Sequence, residues 1–173
     1  MIGKINVSDI IRDHFRTLVH ETDGTPSGGD IVLFFGVPMI AAALLLFLKG
    51  VFGEGISGVL ITAYSIFAAL LFNLLLLVYD IVKKSDKAAS LKSRFLKQIY
   101  SNISYSVFIS IALIVILLAY FVSMSSPRLL YIKYGLAFLV YALSANFILT
   151  MLMVLKRVHI LLSKEFEDPL TPT

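Results

Sequence analysis

Four apolar runs, Ile31 to Leu48, Ile56 to Tyr79, Ile103 to Met124 and Tyr134 to Leu155, contain no Asp, Glu, Lys or Arg. Each holds 18 to 24 residues, close to the roughly 20 that a helix needs to cross a hydrocarbon core about 30 Å thick. The pattern predicts an all-α membrane protein with four transmembrane helices arranged as two hairpins. Short polar turns should join spans one and two (Lys49 to Gly55) and spans three and four (Ser125 to Lys133). The run at Ile31 follows thirty mostly polar residues without the charged start and small-residue cleavage site of a secretory signal, so it is expected to remain as a span.

Between and around the runs the periodicity changes. In residues 1–30, Ile10, Ile11, Phe15, Leu18 and Val19 recur at helical spacing, with Arg12, Asp13, Arg16 and His20 on the other face and Ser8 or Asp9 available as an N-cap. That is the pattern of an amphipathic helix lying at a membrane surface or on a partner. Thr22 to Asp30 is rich in Gly and Pro and should act as a hinge. In residues 80–102, Leu91, Phe95, Leu96 and Ile99 oppose Lys92, Arg94 and Lys97, which predicts a second surface helix. Beyond Leu155 the pattern continues into residues 156–173, so the fourth helix should project past the bilayer until Pro169 stops it.

Charge placement orients these elements, because basic residues collect in short cytoplasmic loops. Twelve basic residues share one side: Lys4, Arg12 and Arg16 before the first span, Lys83, Lys84, Lys87, Lys92, Arg94 and Lys97 in the central loop, and Lys156, Arg157 and Lys164 in the tail. Only Lys49, Arg128 and Lys133 fall on the other. Both termini and the central loop are therefore expected in the cytoplasm, where Arg12, Arg16 and the central-loop lysines and arginine would contact anionic lipid at roughly 1 kcal/mol each or dock a protein partner. The 58% hydrophobic content and mean hydropathy of +0.91 fit this reading, since soluble domains hold roughly 45–50% apolar residues. A net charge of +4 without interleaved aromatics gives no reason to expect nucleic acid.

Polar groups inside the runs are few. Asn73 and Asn146 each precede a basic pair by ten residues (Lys83 with Lys84, Lys156 with Arg157), and a primary amide in hydrocarbon must find partners. Two readings stay open: the amides orient neighbouring helices, or Asn146, Ser144 and Thr150 from several copies line a narrow polar path. Gly36 and Pro38 predict a kink in the first span, because Pro38 has no N–H to give the Phe34 carbonyl. Small residues at Ser65 and Ala69, Ser106 and Ser110, and Ala142 and Ala145 would let helices approach closely and favour a homo-oligomer.

Chemistry beyond binding has little support. His14, His20 and His159 are scattered, cysteine is absent, and no phosphate loop, nucleophile elbow or intramembrane acid pair occurs, so neither an enzyme nor a cofactor or metal site is expected. Spans without ionisable groups also argue against a proton- or ion-coupled transporter.

The segment Asp30-Ile-Val-Leu-Phe-Phe-Gly-Val-Pro38, followed by Ser65-Ile-Phe and then Asn73 through Tyr79-Asp80, resembles small four-span membrane proteins of bacterial antiphage defence systems. Among these are the membrane subunit of the Kiwa system and the accessory membrane protein of type VI-B CRISPR loci, also seen beside RADAR. The resemblance covers the four-helix plan and implies a role without transferable catalytic residues. The expected function is an oligomeric component of the bacterial inner membrane that senses infection or perturbs the bilayer in abortive infection, with a pore as one form of that disturbance, beside a cytoplasmic partner. A membrane anchor for a soluble enzyme, or a small housekeeping channel or transporter subunit, are the alternatives.

Overall fold

The structure, a computed structural model, describes residues 7–18, 28–84, 91–124 and 130–167. Helix α1 (Ser8–Thr17) comes first; a short helical segment α2 (Gly28–Ile31) leads through a π-helical turn (Val32–Gly36) into α3 (Val37–Lys49). Three long helices follow, α4 (Glu54–Lys84), α5 (Leu91–Met124) and α6 (Leu130–Glu167). Among the described residues four helices are long and apolar enough to cross a bilayer, spanning Val32–Lys49, Glu54–Lys83, Phe95–Met124 and Leu130–Ile160. The chain is an all-α membrane protein.

Three helices outrun the apolar runs they contain, α5 and α6 the most. At 1.5 Å per residue α5 extends about 51 Å and α6 about 57 Å, well beyond the ~30 Å hydrocarbon thickness. The separate surface helix expected in residues 80–102 does not form, because Leu91, Phe95 and Ile99 stay in phase with Ile103 and no breaker intervenes; α5 runs straight through. Likewise α6 passes Leu155 and continues to Glu167, short of Pro169. The hinge expected from Thr22 lies outside the described residues up to position 27, and Gly28 to Asp30 are helical.

The packing order is α4, α5, α6, α3, so the consecutive helices α3 and α4 do not lie against each other. Their connection instead crosses the ends of α5 and α6. Gly50 turns the chain at φ 68°, where a side chain would be strained, while its N–H bonds back to Leu46. Tyr120 of α5 then donates to the Phe52 carbonyl at 2.6 Å and Tyr141 of α6 to the Gly50 carbonyl at 3.3 Å. Phe52 fills the space between those two tyrosine rings.

Within the bundle, α5 supplies the centre: Ile99, Ile103, Ile109, Leu113, Leu117 and Tyr120 are buried against Leu71 and Val78 of α4 and Ala137, Val140 and Phe147 of α6. Buried hydroxyls return to their own helix, Ser106 to the Asn102 carbonyl, Ser110 to Ser106 and Thr150 to Asn146. This satisfies each O–H where no water competes. Ser106 and Ser110 therefore face the interior of one chain, whereas Ser65 and Ala69 of α4 face outward.

Candidate functional site: a docked helix at the basic end of the bundle

Helix α1 reaches the bundle through a polar side chain. Val7, Ile10, Ile11, His14 and Leu18 form one stripe at helical spacing, and His14, in its middle, is fully buried. The burying face is thus centred on His14, Thr17 and Leu18, while Phe15, expected on the apolar face, is 40% exposed and stacks its ring on Phe35. Arg12, Asp13 and Arg16 do occupy the outer face, the last two 3.6 Å apart.

The His14 ring lies flat on Tyr105 of α5, with centroids 3.8 Å apart and an interplanar angle of 1°, and meets Phe34 edge-on. Its Nδ1 is 2.9 Å from Asn102 Oδ1. Because that oxygen can only accept, Nδ1 carries the hydrogen and Nε2 holds the lone pair of a neutral imidazole. Thr17 Oγ1 lies 2.8 Å from the same oxygen and 2.7 Å from the His14 carbonyl, one hydroxyl hydrogen shared between them. The end of α1 is closed from α6, where Arg157 donates to the Thr17 carbonyl at 2.8 Å. A cation on the last carbonyls of a helix satisfies an orphan acceptor and opposes the negative end of the helix dipole.

Burial is the main reason that the His14 pKa is pushed down to about 4; the Asn102 hydrogen bond opposes that shift and the Arg157 charge adds to it. At neutral pH the ring is uncharged. Protonating it in place would set a second cation beside Arg157 in a site already out of water.

From this contact a chain of polar groups continues toward the membrane interior. Tyr105 donates to Asn146 Oδ1 at 3.1 Å, and Asn146 Nδ2 donates to the Phe34 carbonyl at 2.8 Å. That carbonyl is the one Pro38 cannot serve, so the π-helical turn ahead of Pro38 is held by an amide from α6. The kink residues Gly36 and Pro38 and the amide of Asn146 belong to one construction.

The remaining expected positions scatter. Ser144 accepts from Tyr64 of α4 at 2.7 Å, and Thr150 is fully buried one turn beyond Asn146. Asn146, Ser144 and Thr150 are therefore engaged within one chain, a placement that gives the pore-lining reading no support. Asn73, expected to face protein or water, is exposed on the outer side of α4. Its neighbours in sequence point the bundle-facing side chains Leu71 and Val78 inward, which turns position 73 out. Lys83 and Lys97 are exposed at the end where α1 docks; Lys84, Lys92 and Arg94 lie in the helical ends of α4 and α5, and Lys87 lies outside the described residues.

His14, Thr17, Asn102, Tyr105 and Arg157 were not singled out as site residues from sequence. A histidine interrupting an apolar stripe, and an asparagine one turn before Ser106, were the available signals. The set holds one neutral imidazole, one guanidinium, one amide and two hydroxyls, a constellation that docks and orients a helix. Among the described residues no group of three His, Asp or Glu is placed to hold a metal ion. The chain matches no protein-family model, no curated protein and no solved structure.

Proposed function

We propose that the chain is a component of a bacterial antiviral defence system, set in the inner membrane with its basic end in the cytoplasm, in which docking and release of α1 couples a cytoplasmic partner to bundle packing. The observation that carries the molecular part is the His14, Thr17 and Arg157 clasp, because His14 stacks on Tyr105 and Tyr105 bonds through Asn146 to the π-helical turn of the first span. Removing α1 exposes the Asn102 amide and the Tyr105 ring and uncovers Phe34 and Phe35 of that turn, the first met edge-on by His14 and the second stacked under Phe15. The first span can then repack against α6, disturbing the bilayer or signalling inward.

Twelve basic residues against three support the orientation. The defence setting rests on the resemblance of the Asp30 to Pro38 and Asn73 to Asp80 segments. Catalysis has no part in this reading, and no cofactor is required. The test is phage challenge of cells carrying the native locus, followed by plaque counts and membrane potential, with wild type compared with Asn102→Leu. Protection by wild type that changes at least tenfold in the variant, at equal membrane content, is the expected result. Equal plaque counts with and without the gene would overturn the defence role, and unchanged protection by Asn102→Leu would overturn the clasp as its control point.

A further inference from the structure

Asn73 sits about 16 Å along α4 from Lys84 and about 28 Å from Glu54 at 1.5 Å per residue, well inside the hydrocarbon region. It is exposed, and its carboxamide makes no hydrogen bond to any described residue. An amide facing lipid tails without a partner is costly, by several kcal/mol in a fully apolar medium. The other polar groups on this side differ: Thr62 and Ser65 return their hydroxyls to the Gly58 and Ile61 carbonyls of their own helix. Asn73 alone among these three is left to look outward.

We infer that the outward face of α4 is a self-association seam, at which a second copy of this chain sets its Asn73 against the Asn73 of the first. All copies share one membrane topology, so a two-fold axis between them runs along the bilayer normal and brings residues of equal depth together. A carboxamide both donates and accepts, so two of them at one depth complete each other's bonds. A lipid tail offers neither function. The same face is shaped for close approach: Gly58, Thr62, Ser65, Ala69 and Asn73 follow one another at steps of three or four, all exposed. Nothing among the described residues requires Gly58 to be small, since a Cβ there would meet none of their atoms within 4 Å. Because α4 is an end member of the packing order, this face stays open after the bundle has closed.

The seam does not depend on the α1 clasp, and its test leaves that region untouched. The chain has no cysteine, so single substitutions report contacts cleanly. Ser65→Cys and Ala69→Cys, oxidised in native membranes, should give covalent dimers, while Leu44→Cys on α3 and Leu152→Cys on α6 should not. In vesicles at graded lipid dilution, Asn73→Leu should weaken association by about three- to tenfold, the size expected for one or two interhelical hydrogen bonds, and Asn73→Gln should retain most of it. Cross-linking confined to the α3 or α6 positions, a chain monomeric at every dilution, or association unchanged by Asn73→Leu would each overturn the seam.

Discussion

Asn73 and Asn146 stand at the same distance from a basic pair and in spans of similar apolar content, yet their surroundings are opposite. Asn146 is 4% exposed and bonds both Tyr105 and the Phe34 carbonyl. Asn73 faces out of the bundle with no hydrogen-bond partner among the described residues. The difference lies in what each helix packs against. The side of α6 that carries Asn146 meets α3, whose proline has released a carbonyl, whereas position 73 of α4 points away from α5. An amide at a given depth is thus internal stitching where a neighbour offers an unserved acceptor, and a contact for another molecule where none does.

Substitution at the two positions separates these roles. Asn146→Leu leaves the Phe34 carbonyl and the Tyr105 hydroxyl unpaired in hydrocarbon, and it should lower the unfolding free energy in detergent by about 1–2 kcal/mol. A smaller effect comes from Pro38→Ala in that background. The alanine N–H regains the Phe34 carbonyl, so the cost of Asn146→Leu should fall by at least half, read as a double-mutant coupling. An unchanged cost in the alanine background would mean that Asn146 acts through Tyr105 alone. Smallest of all, Asn73→Leu should leave the stability of the isolated chain within about 0.5 kcal/mol, as for surface substitutions generally. A loss comparable to that of Asn146→Leu would erase the contrast.

How much of this was legible beforehand follows from the range over which each signal acts. The spans could be read because the hydrocarbon thickness acts on every residue of a run. Pro38 announced locally that the Phe34 carbonyl would need a donor. That the donor is Asn146, 112 positions away, left no local mark, since the rotation of α6 about its own axis is settled only by packing. Residues 91–102, expected as a surface helix, are instead the first turns of α5, because a charged amphipathic helix and the start of a long projecting helix share one periodicity. His14 was passed over on the apolar side of α1 because residue type outweighed spacing. Its stacking on Tyr105 and bond to Asn102 join elements nearly ninety residues apart.

The state of α1 is the most direct point at which to test the coupling. Docking favours the neutral imidazole, with a pKa near 4 against 6.5 for the free side chain. It should therefore be at full strength above pH 6.5, weaken about tenfold per pH unit as protonation favours the undocked helix, and level off below about 4. Spin labels at Arg12 on α1 and Lys156 on α6, both exposed, report it as a distance distribution in vesicles. The expected result is one narrow short distance at pH 7.5 that gives way to a broad, longer population at pH 4.5, with His14→Leu abolishing the pH dependence. A distribution that stays the same across that range in the wild-type protein would contradict a clasp held by neutral His14.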